Sequence, residues 1–176
     1  MEAAAPVVLV GGGHAAAAFA NSVRRAGYTG RVLLVSDEPV PPYHRPPLSK
    51  KYLADGLPVE QILIRAAAWY EEQKIELRLG RRVEAIDRAT QRVVLDDGEA
   101  LAYSRLVLMT GARPRRLPAA IGGDLQGVLL MRSLADADAL APHLVAGRRM
   151  LVIGGGYIGL EAAAVAVGKG LHVTLL

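Results

Sequence analysis

The chain has 176 residues, of which 52% are hydrophobic, and a formal net charge of +4. This balance excludes a disordered chain, and the length fits one domain or slightly more. The absence of cysteine excludes disulfide scaffolds, thiolate metal sites and thiol catalysis by these residues. No apolar run reaches the ~18 residues of a membrane span, and no Lys/Arg tract indicates nucleic-acid binding. We therefore expect a cytoplasmic protein without membrane, nucleic-acid or metal binding.

The first predicted unit is an apolar strand, a glycine-rich turn, an alanine-rich helix and a second strand. Its turn, from Gly11 to Ala16, fits the pattern G-x-G-x-x-A. In this pattern Gly11 allows a tight turn, and Gly13 lets the backbone approach a pyrophosphate at the helix N-terminus. Asp37 ends the next strand about 20 residues further on, where a carboxylate can bind ribose hydroxyls. The unit predicts dinucleotide binding.

The middle of the chain follows a different pattern. Two consecutive prolines in the segment from Tyr43 to Lys50 exclude a helix before the residue that follows Pro47. A helix is predicted further on, over Ala66 to Lys74. From Ile75 to Met109 the hydrophobic period shortens to that of strands, and Asp97-Gly98 indicates a hairpin. We interpret this stretch as a small antiparallel meander that leads into a last buried strand from Arg105 to Met109.

The strand, glycine turn, helix and strand recur near the end of the chain. The run from Gly154 to Gly159 is the full G-x-G-x-x-G pattern, and a second apolar run follows from His172 to Leu176. The acidic partner of this motif would lie beyond Leu176, so we expect the natural chain to continue. The prediction is an α/β chain with a Rossmann-like three-layer fold and small meander over 1–118. The start of a second Rossmann-like domain then follows over 119–176.

Two dinucleotide-binding folds in one chain suggest a flavin together with a nicotinamide. Four segments carry a resemblance to a known family: the first glycine motif, Pro46-Pro47-Leu48-Ser49-Lys50, Thr110 to Pro114, and Gly154 to Glu161, which contains the second glycine motif. They resemble the NADH-dependent ferredoxin reductases of bacterial oxygenase systems. These belong to the wider pyridine nucleotide-disulfide oxidoreductase superfamily. The resemblance covers the whole chain, and family members are much longer, which implies a C-terminal truncation.

The resemblance implies an FAD-dependent oxidoreductase. Such a flavoprotein passes electrons from NAD(H) through FAD to a ferredoxin-type iron–sulfur protein, or to a rubredoxin, that serves an oxygenase. The superfamily's redox cysteine pair has no counterpart here, because the chain contains no cysteine. The flavin would therefore release electrons one at a time to an external protein.

The candidate site follows from the resemblance and the motifs together. The resemblance places Lys50 and Glu161 near the reactive nitrogen of the flavin, where we predict a catalytic ion pair in a low-dielectric slot. It also implies FAD contacts at Ala15, Asp37, Lys50, Val83 and Arg132. The other predicted cofactor-binding residues are Gly11, Gly13, His14, Arg45, Thr110 and Gly111, and, on the NAD side with Glu161, Gly154, Gly156, Tyr157, Ile158 and Gly159.

Two other classes stay open from the sequence. A flavoprotein of the apoptosis-inducing-factor type, acting in assembly or signalling, shares the Pro46 to Lys50 segment. If 176 residues are the whole chain, an inert nucleotide-binding fragment is the other alternative. Arg113, Arg115 and Arg116 form the densest positive cluster, which suits either an acidic partner protein or a solvated linker. The choice between NADH and NADPH is not determined.

Overall fold

The computed structural model of the protein describes residues 4–176, which form nine strands and five α-helices. The strands are β1 (Val7–Val10), β2 (Val32–Ser36), β3 (Ile75–Leu79), β4 (Val83–Asp87), β5 (Arg92–Leu95), β6 (Ala100–Ala102), β7 (Arg105–Leu108), β8 (Arg149–Val152) and β9 (His172–Leu175). The helices are α1 (His14–Arg25), α2 (Lys51–Asp55), α3 (Ala67–Glu72), α4 (Leu134–Leu140) and α5 (Tyr157–Gly168). They belong to two compact units, one with the residues up to His44 and Leu63–Gly111, the other with Arg45–Ile62 and Ala112–Leu176.

The first unit is built on a parallel sheet with the strand order β3-β2-β1-β7. Its central strands β1 and β2 are continuous apolar runs, as expected for strands that are covered on both faces. Val8, Leu9 and Leu34 are fully buried. The small side chains of Ala16 and Ala20 bring α1 into the same core cluster as Leu9 and Leu34. The predicted strand, helix and strand of the first unit are therefore confirmed.

Two strands of this sheet differ from the expectation. β3 was expected to begin the meander, but it pairs in parallel with β2, because its buried residue Ile75 completes the core of the sheet. β7 was expected to be buried, yet Leu108 at its end is 58% exposed. β7 lies at the edge of this sheet, where it pairs with β1 on one side. The antiparallel meander begins at β4 and has the order β4-β5-β6.

Arg24 at the end of α1 connects two turns of the first unit. One turn precedes β2 and the other precedes β3, and both present backbone carbonyl groups that need hydrogen-bond partners. The planar guanidinium group can serve several carbonyls at once. Its Nη1 donates to the carbonyl oxygens of Tyr28 (2.8 Å) and Gly30 (2.9 Å), its Nε to Gln73 (2.7 Å) and its Nη2 to Lys74 (2.8 Å).

The second unit repeats the strand, glycine turn and helix. β8 and β9 pair in parallel, and α5 connects them directly after the second glycine motif. The segment before α2 differs from the expectation, because Pro46–Ser49 forms a 3-10 turn. Proline fits the first turn of a helix, where its φ is already suitable and an N–H group would have no partner. α2 then ends at Asp55, and the following residue, Gly56, has a φ of +68°.

None of the helices described in residues 4–176 is long and apolar enough to cross a membrane. The same part of the chain holds no group of three or more His, Asp or Glu side chains placed to bind a metal ion. The predicted cytoplasmic location stays a prediction.

Candidate functional site

The first glycine motif forms the turn between β1 and α1. Gly11 has a φ of +127°, and a Cβ atom there would overlap the carbonyl oxygen of Met109, so the fold itself requires glycine. Gly13 differs, because no atom outside it and its two chain neighbours lies within 4 Å of the position that a Cβ atom would take. No side chain caps the first turn of α1, whose N–H groups lack partners within the helix. Space and hydrogen-bond donors for an anion thus coincide at Gly13.

Two other predicted residues, His14 and Ala15, begin α1, and both are exposed. Nε2 of His14 lies 3.1 Å from Nδ1 of His44. In such a contact one imidazole nitrogen donates and the other accepts, and the tautomers decide which does which. The contact fixes His14 beside the glycine turn.

The carboxyl ends of parallel strands bring three predicted residues to one edge of the sheet. Asp37 directly follows β2, while Thr110 and Gly111 come shortly after β7. Open parallel sheets bind their ligands at this edge. Asp37 is exposed, and its Oδ2 accepts a hydrogen bond from Nη2 of Arg82 at 3.3 Å. The next residue, Val83, begins β4 and packs half-buried against an apolar cluster of the first unit.

The second glycine motif lies between β8 and α5. A Cβ atom at Gly159 would overlap the carbonyl oxygen of Gly154, which is the close contact between turn and helix that requires the third glycine of this motif. Gly156 precedes the helix, and no atom outside it and its two chain neighbours lies within 4 Å of the position that a Cβ atom would take. Tyr157 and Ile158 are exposed in the first turn of α5. The space at Gly156 matches that at Gly13 in the first motif.

A pocket of about 250 Å³ lies within the second unit. It is formed by the proline turn before α2, the segment before α4 and the first turns of α5. Its walls contain both charged and apolar side chains, as is common for sites that bind organic ligands. The lining residues are Arg45, Pro46, Leu48, Ser49, Lys50, Met131, Arg132, Ile158 and Glu161.

Each carboxylate oxygen of Glu161 has one partner, which is Ser49 in the proline turn for one oxygen and Lys50, the next residue, for the other. Nζ of Lys50 lies 3.2 Å from Oε1 of Glu161, and the hydroxyl of Ser49 donates to Oε2 at 2.6 Å. The hydrogen bond from Ser49 is the largest cause of a lowered Glu161 pKa, and Lys50 acts in the same direction. Both groups favour the charged form of the carboxyl group. Glu161 is therefore an anion over most of the pH range.

The surroundings of the Lys50–Glu161 pair differ from the low-dielectric slot that we expected. The side chain of Lys50 is 52% exposed and that of Glu161 is 29% exposed. Water therefore screens their attraction, and ion pairs of this kind contribute little to stability. The pair is better placed to meet a ligand than to stabilise the fold.

Arg45 and Arg132 line the same pocket and are connected to each other. Nη1 of Arg45 donates to the backbone carbonyl of Arg132 at 3.0 Å. The N–H groups of Arg132 and Ser133 donate to Oδ2 of Asp136 at 3.0 and 2.8 Å. The hydroxyl of Ser133 accepts from the N–H group of Asp136, which completes a capping box at the start of α4. These bonds fix the backbone from which the Arg132 side chain extends.

The predicted residues fall into two sets, one in each unit. In the first unit are Gly11, Gly13, His14, Ala15, Asp37, Val83, Thr110 and Gly111. In the second unit are Arg45, Lys50, Arg132, Gly154, Gly156, Tyr157, Ile158, Gly159 and Glu161. Of this second set, Arg45, Lys50, Arg132, Ile158 and Glu161 line the pocket.

Five residues that take part in these contacts were not predicted as site residues, namely His44, Ser49, Arg82, Ser133 and Asp136. The spacing of Ser133 and Asp136 before a helix is a signal that identifies a capping box. No local pattern connects Ser49 with Glu161, because the two residues are 112 positions apart. Arg82 is one of many exposed arginines, and its contact with Asp37 has no signal in the sequence.

Comparison with known proteins agrees with this fold. The model of the family described as pyridine nucleotide-disulphide oxidoreductase matches residues 5–176. The chain therefore belongs to the pyridine nucleotide-disulphide oxidoreductase family.

Two similar proteins and one solved structure make the relation more specific. Putidaredoxin reductase of Pseudomonas putida is 47% identical over 178 residues, which cover 100% of this chain and 42% of that protein. The ferredoxin–NAD(+) reductase component of the anthranilate 1,2-dioxygenase system of Burkholderia cepacia is 46% identical, covering 97% of this chain and 42% of its own length. The solved covalent complex of putidaredoxin reductase with putidaredoxin matches with a TM-score of 0.89 at 46% identity, covering 99% of this chain and 42% of that chain. The resemblance to ferredoxin reductases is confirmed, and the chain spans less than half the length of these relatives.

Proposed function

We propose that the chain forms the FAD-binding domain and the first part of the NAD-binding domain of an NAD(P)H-dependent ferredoxin reductase. The proposed domains are residues 1–118 and 119–176. The observation that carries the proposal is the Glu161 carboxylate, which Ser49 and Lys50 hold in a pocket lined by two further cations. A carboxylate, a lysine and two arginines around one pocket suit a ligand that is anionic and also takes part in hydrogen bonding.

The first unit fits the adenosine diphosphate portion of FAD. The open space at Gly13 and the uncapped first turn of α1 suit a pyrophosphate. Asp37 is exposed at the end of β2, where a carboxylate can accept hydrogen bonds from ribose hydroxyls. In this proposal Ala15, Val83, Thr110 and Gly111 complete the contacts from the same unit.

The second unit offers groups for the redox-active part of a cofactor. Bound FAD would supply a ring that accepts a hydride from NADH and passes on single electrons. The ammonium group of Lys50 can stabilise negative charge that develops on such a ring. Glu161 is held as an anion and can orient the nicotinamide. Arg132, whose backbone the capping box fixes, provides a cation for phosphate or ribose.

The route of the electrons follows from the composition of the chain. Because these 176 residues contain no cysteine, they cannot relay electrons through a dithiol. A ferredoxin-type iron–sulfur protein, or a rubredoxin, would take them directly from the flavin. The exposed cluster of Arg113, Arg115 and Arg116 suits an acidic partner of this kind. A cytoplasmic location belongs to the same proposal.

The test is anaerobic spectroscopy of the full-length protein. We expect the visible spectrum of bound oxidised flavin, bleaching by NADH, and return of the colour when an oxidised iron–sulfur ferredoxin is added. A protein that binds no flavin would contradict the proposal. Bleaching by NADH without return of colour by ferredoxin or rubredoxin would instead favour a flavoprotein of the apoptosis-inducing-factor type.

A further inference from the structure

Ser49 is one of the two polar residues buried among those that the structure describes, at 3% exposure. It ends the 3-10 turn Pro46–Ser49, which two backbone hydrogen bonds close. The N–H of Leu48 donates to Arg45 and that of Lys50 donates to Pro47, each at 3.0 Å. Leu48 is also buried, at 2% exposure. The backbone that carries the Ser49 hydroxyl is therefore held by the turn itself, independently of the contact with Glu161.

The two partners of Glu161 hold it with unequal strength. The Lys50 ammonium group stands at the end of a flexible four-carbon stem, and its side chain is half exposed. The Ser49 hydroxyl has a single side-chain torsion to fix, and its bond to the carboxylate is short, at 2.6 Å. Both contacts go to a charged acceptor, which strengthens each of them, so the difference lies in the distance and in the freedom of the two side chains. Fixing Ser49 also costs less side-chain entropy than fixing Lys50.

We propose that Ser49 is the positioning residue that fixes the Glu161 carboxylate in the pocket, with Lys50 as the weaker partner. The inference rests on the proposed function for its meaning, because a fixed Glu161 matters only where a nicotinamide has to be oriented. The lowered pKa of Glu161 agrees with it, since the hydrogen bond from Ser49 is its largest cause.

The assignment changes the role of Lys50. An ammonium group carries three N–H donors, and one contact with Oε1 of Glu161 occupies one of them. With Oε2 held by Ser49, Lys50 does not have to hold the carboxylate in place. Its other donors can turn to a ligand in the pocket, and Glu161 keeps its position when they do.

The first test measures the pKa of Glu161 itself in the full-length protein. Carbon-13 NMR of the side-chain carboxyl groups gives this pKa, and the Glu161→Gln variant identifies the signal. We expect Ser49→Ala to raise the pKa of Glu161 further than Lys50→Met does, and Ser49→Thr to restore the wild-type value. An equal or smaller rise in Ser49→Ala than in Lys50→Met would overturn the proposal. This measurement needs neither FAD nor turnover, so it stands even if the proposed function fails.

The second test is a double-mutant cycle on flavin reduction by NADH. We expect Ser49→Ala to slow reduction about threefold to tenfold, and to have no further effect in a Glu161→Gln background. A full effect of Ser49→Ala in that background would show that Ser49 does not act through Glu161. Tyr52→Phe is the matched control, because it removes a bond of 2.6 Å between α2 and Asp138 without touching Glu161. Should Ser49→Ala not fold, Ser49→Cys keeps the shape with a weaker donor and gives the same comparison.

Discussion

Lys50 combines a positive charge with a side chain that is accessible to ligands. Its ammonium group lies 3.2 Å from Glu161, and half of its side chain is exposed to the pocket and to solvent. A cation in this position can reach a ligand without breaking the packing of the second unit. This accessibility makes Lys50 the first target for mutation.

We predict that Lys50→Met slows flavin reduction by NADH at least about tenfold in the full-length enzyme. On the proposed function, the variant would lose the donor that stabilises negative charge on the reduced ring, while FAD would stay bound through its other contacts. Stopped-flow measurement of the flavin absorbance tests this. Lys51→Met removes a neighbouring exposed lysine and should leave the rate unchanged. A Lys50→Met enzyme that is reduced at the wild-type rate would remove Lys50 from the mechanism.

We also predict that Asp37→Ala weakens FAD binding by about 1.5–3 kcal/mol, as expected for the loss of a hydrogen bond to a charged group. The fluorescence of released flavin measures the affinity. Asp97→Ala is a suitable control, because Asp97 also pairs with an exposed arginine, Arg81 at 3.2 Å. Equal affinities of the two variants would mean that Asp37 serves only its contact with Arg82.

Single residues differ in how far the sequence alone reveals their role. The requirement for glycine at positions 11 and 159 is predictable, because each belongs to a short motif whose geometry is local. The contact of Ser49 with Glu161 is not, since it depends on how two distant segments fold together. The half-exposed surroundings of Lys50 are likewise a tertiary property, which a sequence pattern cannot report.

At the level of elements, most boundaries follow from hydrophobic runs and glycine stops. α1 and α5 each follow a glycine turn and precede a strand, in the order that the sequence predicts, and Gly27 and Gly170 come after them with φ values of +81° and +83°. β3 was misplaced because a strand's own pattern does not tell which neighbour it will pair with. Its parallel pairing with β2 is decided by the burial of Ile75 in the common core.

The capping box of α4 yields a prediction for an element. Ser133→Ala removes the acceptor for the N–H group of Asp136 and should cost about 1 kcal/mol of stability. Because the same box holds the N–H group of Arg132, the variant should also disorder that residue. Denaturant unfolding measures the loss of stability, and amide hydrogen exchange at Arg132 measures the disorder. Ser133→Thr keeps the cap and should behave like the wild type, whereas unchanged exchange in Ser133→Ala would contradict the prediction.

At the level of the whole molecule, two tyrosines connect stability with alkaline pH. Burial raises the pKa of Tyr52 to about 12, and its hydrogen bond to Asp138 and the charge of Asp138 add to the effect. Burial also raises the pKa of Tyr70 to about 12, against the opposing charge of Arg65. The Tyr70 hydroxyl has no hydrogen-bond partner within the part of the chain that the structure describes.

A raised pKa in the folded state means that folding favours the protonated phenol. The resulting stability is complete below the ordinary tyrosine pKa of 10.0 and is lost as the pH rises through about 12. We therefore predict that the free energy of unfolding of the protein falls as the pH rises through this window. The fall should be smaller in the Tyr52→Phe variant. Tyrosinate absorbance and circular dichroism, recorded together during a pH titration, measure it. Tyr28→Phe, at a more exposed position, is the control, and a Tyr52→Phe profile equal to the wild type would contradict the prediction.

The four hydrogen bonds of Arg24 have a consequence for how this chain can vary in evolution. A lysine would keep the charge, but its single nitrogen cannot reach carbonyls in two separate turns. Arginine at this position is therefore tied to the lengths of the turns before β2 and β3. An insertion or deletion in either turn would move the acceptors and remove the need for arginine. Among homologues, we expect position 24 to change identity together with the length of these turns, while substitutions elsewhere on the exposed face of α1 accumulate independently.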